Sequence, residues 1–199
     1  MIKSKSSEAI RKLIHISSLV IPFTYRFILN YNRLLMFILL FVTLVIALAM
    51  ELYRLQMPSF RKMFHKLFGL ILRRHERGDF TGATFLVFSS LLCVVFFKPI
   101  IAFLAISYLS IGDTFAAVIG MSLGKRKFLG QNKSIEGSLA CFTSILVFSI
   151  IFGTGLNPWV FAVGALAATL AELWNIPVDD NIKIPIFSGI VMSLVNILV

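Results

Sequence analysis

Charge is scarce in this chain. Of its 199 residues, 14% are Asp, Glu, Lys or Arg and 58% are hydrophobic. Soluble domains carry about 25% charged and about 45–50% apolar residues, so an ordinary water-soluble domain is excluded. Acids are the scarcer sign, nine against nineteen Lys and Arg, for a net charge of +10. Cysteine is limited to Cys93 and Cys141, both inside apolar runs. Without a Cys-x-x-Cys or ligand spacing, they exclude a disulfide framework and a cysteine metal site. No internal repeat or low-complexity segment is evident, and the apolar runs do not alternate with polar residues, which argues against a barrel. The polar stretch Met1–Glu8 leads into an apolar run without a small-residue cleavage site, so no removed signal peptide is expected.

What is abundant is long apolar sequence. Several runs approach the roughly 20 residues that cross a bilayer. The expected fold is all-α, a polytopic transmembrane helical bundle in a single integral membrane domain over 1–199. About seven spans are expected, near 13–28, 34–50, 82–97, 100–122, 138–153, 158–173 and 184–199. Pro22 and Arg26 interrupt the first, and Pro185 suits the first turn of the last. With the N-terminus in the cytoplasm, sixteen Lys and Arg fall on the cytoplasmic side; Arg26, Arg33 and Lys98 fall on the other. The positive-inside rule therefore accounts for the basic balance, and nucleic acid is not expected as a partner. The localisation that follows is a multi-pass membrane protein, of a prokaryotic inner membrane, with its polar motifs at the cytoplasmic face.

Residues 58–74 form a different kind of segment. Phe60, Met63, Phe64, Leu67, Leu70 and Ile71 share one helical stripe, with Arg61, Lys62, His65, Lys66 and Arg73 mostly opposite. A basic amphipathic helix lying in the membrane interface is expected, either as an anchor on anionic head groups or as a gate for a lipid.

The chemistry concentrates in a few polar stretches. Asp113 sits inside an apolar run, where an acid costs on the order of 3 kcal/mol by insertion scales. It is either a functional carboxylate, as metal ligand or proton acceptor, or the partner of a lysine on a neighbouring helix. Gly120 and Gly124, with Lys125 and Lys127, resemble a phosphate loop only loosely; the same glycines suit close helix packing. Lys133, Ser134, Glu136, Gly137 and Ser138 offer a cation, hydroxyls and a carboxylate at a helix start, where amides face an anion. The same residues would also make an N-cap with an acidic first turn. Glu172 with Asp179, Asp180 and Asn181 is a third cluster; a divalent cation would relieve its repulsion, although it also reads as a solvated turn. Not all five acids can be direct ligands, because Mg²⁺ uses one or two carboxylates plus phosphates. Glu8, Arg11, Lys12 and His15 are spaced to share a helical face, and Arg74, His75 and Glu76 precede Thr81–Gly82 at the start of the third run. Together these groups describe a membrane enzyme acting on a phosphorylated substrate.

The same residues, in order, resemble a known family. The pieces are Arg11-Lys12-x-x-His15; Glu76 with Thr81-Gly82-Ala83; and Gly112-Asp113-x-x-Ala116. They continue with Gly120-x-x-x-Gly124-Lys125-x-Lys127, Lys133-Ser134-x-Glu136-Gly137-Ser138 and Asp179-Asp180-Asn181-x-x-Ile184-Pro185. This is similar to the CTP-dependent lipid kinases, which include dolichol kinase, phytol and farnesol kinases and the fungal-type diacylglycerol kinase. That family is related to the phosphatidate cytidylyltransferases. The resemblance covers nearly the whole chain. It implies transfer of the γ-phosphoryl group of CTP to the hydroxyl of a membrane lipid alcohol (a polyprenol, a phytol-like alcohol or diacylglycerol), with Mg²⁺ or another divalent cation. Asp113 and Glu136 are the expected catalytic residues. Gly120, Gly124, Lys125, Lys127, Lys133, Ser134, Gly137 and Ser138 are expected at the phosphates. Asp113, Glu136, Asp179 and Asp180 are expected at the metal, with Arg11, Lys12, His15, Glu76, Glu172 and Asn181 in support. A lysine-rich loop over 124–134 is expected to close on the nucleotide. A cytidylyltransferase-like nucleotidyltransferase and a non-enzymatic carrier are the alternatives.

Overall fold

The computed structural model describes residues 5–73, 75–128 and 133–199, with side chains for all of these but 5–9 and 75. In chain order its elements are α1 (Lys5–Ser17), α2 (Val20–Phe23), a π-helical turn (Thr24–Ile28), α3 (Arg33–Gln56) and α4 (Pro58–Phe68). A short 3-10 turn at His75–Arg77 leads to α5 (Gly82–Phe96), α6 (Pro99–Ser122), α7 (Ile135–Phe152), α8 (Pro158–Leu173) and α9 (Asp180–Leu198). Among the described residues the extended pairing is a single antiparallel contact between Lys127 and Ser134.

Helices α3, α6, α7 and α9 are long and apolar enough to cross a membrane. The 24 residues of α3 and of α6 rise about 36 Å at 1.5 Å per residue, against a hydrocarbon core of about 30 Å. Helices α5 and α8 are apolar but shorter, at 15 and 16 residues.

Several expected boundaries move; α3 runs six residues past its expected end, to Gln56. The run expected near 13–28 is not one helix: α1 starts earlier and stops at Ser17. Pro22 has no N–H for the Ser18 carbonyl, which accepts from Ile21 instead, while Ser18 Oγ bonds the His15 carbonyl at 2.6 Å and Ser110 Oγ at 2.7 Å. The basic amphipathic segment is helical only to Phe68, with Gly69 as its C-cap, so Leu70 and Ile71 leave the apolar stripe and Arg73 leaves the basic face. Helix α9 begins at Asp180 rather than 184, which moves Pro185 into its interior. The Asn181 carbonyl that a Pro185 N–H would have met accepts a 2.6 Å bond from Ser89 Oγ of α5.

Helix α6 is the axis of the bundle. Every residue from Ile101 to Gly112 is buried, whereas α3, α7 and α9 turn Phe41, Val45, Ile150 and Leu194 outward. An apolar rind around a buried helix is the pattern of a bundle solvated by lipid. Gly112 and Gly137 allow α6 and α7 to approach closely. A Cβ on Gly137 would stand 2.7 Å from the Ala116 carbonyl oxygen, and one on Gly112 would stand 2.9 Å from Cys141 Sγ.

Contacts along these helices sort the polar groups to two ends. Lys12, Phe23 and the far end of the α1–α2 segment follow α6 antiparallel, from Asp113 to Phe103. At one end lie the C-termini of α3, α6 and α8 and the N-termini of α5, α7 and α9. At the other, Arg33 donates to the Phe97 carbonyl at 2.6 Å, and Arg26 donates to Thr154 Oγ1 at 3.2 Å and to the Phe152 carbonyl. These two arginines therefore neutralise the C-terminal ends of α5 and α7.

Candidate active site

At the polar end, five helices surround a cavity of about 360 Å³. Its wall includes Arg11 and Lys12 of α1; Arg73; Asp113, Ala116 and Gly120 of α6; Lys133; Ser134, Gly137 and Ser138 at the start of α7; Glu172 of α8; and Asp180 of α9. Residues up to 169 positions apart in sequence thus share one polar cavity beside the most buried helix of the bundle.

Asp113 is held from α1. Lys12 Nζ lies 2.5 Å from Asp113 Oδ2 and 3.1 Å from the Asp113 carbonyl oxygen. His15 Nε2 is 3.3 Å from the same Oδ2, without hydrogen-bond geometry. The spacing of Lys12 and His15 on one helical face brings both to one carboxylate. The reading of Asp113 as a lysine's partner is therefore realised, and the pair sits in the cavity wall where chemistry would need it. Glu8, on the same expected face, has no described side chain.

The start of α7 is built as a cap. Ser134 Oγ accepts from the Gly137 N–H at 3.1 Å, and Ser138 Oγ donates to the Ser134 carbonyl at 3.2 Å. Gly120 packs against this turn; a Cβ there would stand 3.2 Å from Ser134 Oγ. The cap and packing readings hold, and the same residues also form part of the cavity wall. Lys133 bridges to α8, 2.9 Å from Glu172 Oε1, and also donates to the Glu172 carbonyl. Glu172 Oε2 is buried without a hydrogen-bond partner, in a side chain 8% exposed.

Several expected site residues lie elsewhere. Lys125 and Lys127 are exposed and are not among the described residues of the cavity wall. Gly124 packs on Ser134, since a Cβ there would meet Ser134 Oγ at 2.6 Å. The loop expected to close over 124–134 includes 129–132, which lie outside the described residues, as does Arg74; the described ends of the loop pair through Phe128 N–H to the Lys133 carbonyl at 3.1 Å. Glu136 turns away from the cavity. It accepts from the Arg126 N–H at 3.3 Å and stands at the edge of a separate apolar groove of about 840 Å³ between α6 and α7.

The expected four-carboxylate metal set is not assembled. Asp179 caps α9 through the Asn181 N–H at 2.9 Å and the Asn181 amide at 2.6 Å, and it meets Arg73 at 3.3 Å. Asp180 pairs with Lys183 at 2.8 Å. Among the described residues, no three His, Cys, Asp or Glu side chains are grouped to hold a metal ion. A cation that also binds phosphates needs only one or two protein carboxylates. Glu172, with its unpartnered oxygen, and Asp180 in the same wall fit that lesser requirement.

Two groups escape a reading of the sequence. Arg73 reads as one base of an amphipathic face but lines the cavity. Glu51 and Arg54, on the last turns of α3, form a buried ion pair, with Arg54 Nε 2.7 Å from Glu51 Oε2. The three-residue spacing was the available signal; partners from the loop after α4 make it meaningful.

Comparison with known proteins finds relatives over most of the chain. No protein-family model matches the chain, and no solved structure does. The uncharacterized protein RP860 of Rickettsia prowazekii is 30% identical over 185 residues, 88% of this chain and 88% of that protein. The CTP-dependent diacylglycerol kinase 1 of Schizosaccharomyces pombe is 26% identical over 161 residues, 73% of this chain and 74% of the kinase. Its namesake in Saccharomyces cerevisiae is 26% identical over 218 residues, 93% of this chain and 72% of the kinase. Over 73–93% of its length the chain is therefore similar to CTP-dependent diacylglycerol kinases, a likeness that supports the CTP-dependent lipid kinase family.

Proposed function

We propose that this protein transfers the γ-phosphoryl group of CTP to the hydroxyl of a membrane lipid alcohol, releasing CDP and a lipid monophosphate. The observation that carries this reading is the cavity in which Lys12, Asp113, Lys133, Ser134 and Glu172 meet beside the central apolar helix. Diacylglycerol, the acceptor named for the fungal relatives, is the first acceptor to test, ahead of polyprenol and phytol-like alcohols.

Phosphoryl transfer asks a protein chiefly for positioning and charge neutralisation. Lys133 and the positive end of the α7 helix dipole hold the phosphates. The Lys12–Asp113 pair sets a cation and an acceptor side by side. Asp113 orients the attacking hydroxyl and takes its proton, while Lys12 offsets the charge on the phosphoryl oxygens. Glu172 and Asp180 would hold Mg²⁺, which would supply neutralisation of phosphate charge. The apolar groove that ends at Glu136 supports an acceptor arriving through the bilayer. The positive-inside bias supports a nucleotide arriving from the cytoplasm.

The test is purified protein with γ-labelled CTP, Mg²⁺ and a panel of lipid alcohols, followed by organic extraction. Label in the lipid phase, lost on chelation of the metal, is the expected result. Label released as pyrophosphate with a cytidylyl lipid would instead mark a nucleotidyltransferase. Label left in CTP would overturn the reading.

A further inference from the structure

We propose that Arg73 is a phosphate ligand of the nucleotide, set in place by a buried relay that begins at Arg54; this deepens the kinase reading and rests on it for the nucleotide's identity. Arg54 is fully buried at the end of α3. It pairs with Glu51 and gives its remaining guanidinium hydrogens to the chain after α4, to the Glu76 carbonyl at 2.9 Å and the Asp79 carbonyl at 2.6 Å. Glu51 completes the tie by accepting from the Thr81 N–H at 3.0 Å. The loop so held turns the Glu76 carboxylate inward, where Glu76 is 6% exposed. One oxygen accepts from the Gly82 N–H at 2.9 Å and the other from the Arg73 N–H at 2.5 Å.

The end of this relay is the backbone of Arg73, whose side chain enters the cavity wall beside Lys12 and Lys133. A guanidinium carries five N–H donors, and the 3.3 Å contact to Asp179 takes one of them. The Arg73 side chain keeps 22% of its surface exposed, unlike Arg54. Burying an arginine with two glutamates is costly unless every bond is made, and the position those bonds secure is that of Arg73. A planar fork matches phosphate oxygens in pairs, which a lysine cannot do.

The test uses the full chain in lipid nanodiscs with R73Q, R73K, E76Q and the R73Q/E76Q double variant. KM for CTP is expected to rise about 10–100-fold in R73Q, the range for a lost charged hydrogen bond, with the lipid KM within about twofold. R73K recovers part of the loss. E76Q shifts KM for CTP in the same direction and adds nothing in the R73Q background, because it acts through Arg73. Inorganic tripolyphosphate raises the melting midpoint of the unsubstituted protein and not that of R73Q. An unchanged KM for CTP in R73Q, or additive effects in the double variant, would overturn the assignment. Equal or absent tripolyphosphate stabilisation in both proteins would overturn it as well, whatever the activity. Stabilisation lost in R73Q, with no transfer from CTP by the unsubstituted protein, would keep Arg73 as a phosphate ligand and reject the kinase reading alone.

Discussion

The Lys12–Asp113 pair can be dissected by a double-mutant cycle. The two side chains are 5% and 13% exposed, and their charged atoms are 2.5 Å apart. At an effective dielectric of about 20, that separation corresponds to about 7 kcal/mol of attraction before desolvation is counted. Removing one partner strands the other charge, which costs about 3–5 kcal/mol in buried pairs. D113N and K12M should therefore each lower the melting midpoint by about 6–20 °C, at about 2–4 °C per kcal/mol for a chain of this size. K12M/D113N removes both charges and should recover most of that loss. Thermal unfolding in one detergent, followed by tryptophan fluorescence, measures all four proteins. Label transfer from CTP to the extracted lipid is measured on the same samples. The double variant should be stable and inactive, which separates the pair's structural contribution from its chemical one. A D113N midpoint within about 2 °C of the unsubstituted protein, or a double variant as unstable as the singles, would refute the coupling. Turnover by the double variant would remove the pair from the mechanism.

Three further outcomes are expected. K133A should raise KM for CTP about tenfold and lower the melting midpoint less than D113N does, because Lys133 is itself 31% exposed although it leaves the 8% exposed Glu172 without its partner; loss of the folded protein would make the lysine structural. S89A leaves the Asn181 carbonyl without its 2.6 Å donor and should cost about 1–3 kcal/mol, read as a lower midpoint with an unchanged KM for both substrates. Orientation is tested with K127C and T154C, since Cys93 and Cys141 are buried and give little background. A membrane-impermeant maleimide should label K127C only from the cytoplasmic side and T154C only from the other, and the reverse pattern would overturn the positive-inside assignment.

Periodicity, run length and charge bias determined much of this protein without any tertiary information. An apolar run must bury its amides in helix when water is absent, so the helical runs that became α3, α5, α6, α7, α8 and α9 were legible, with the end of α3 misplaced by six residues. The polar stretches stood out because acids and lysines are costly beside those runs, and family motif order pointed to Asp113, Lys133 and Ser134. Local sequence failed where a bond to a distant group decided the outcome. Pro22 marked the interruption of the first run, but the Ser18–Ser110 contact at that break and the Ser89 donor that accommodates Pro185 inside α9 were not legible.

Only tertiary structure decided which polar residues share a cavity. Lys125 and Asp180 look equally suited to a nucleotide site when read along the chain, yet helix packing brings Asp180 into the wall and leaves Lys125 exposed. Glu136 sits one residue from Gly137, but the turn of α7 sends its carboxylate to the apolar groove while Gly137 faces the cavity. Arg73 carries no motif of its own; buried contacts from Arg54 through Glu76 give it a place. Helix formation follows from neighbours in sequence, so it could be read in advance, whereas a binding cavity is a property of side chains brought together from five helices.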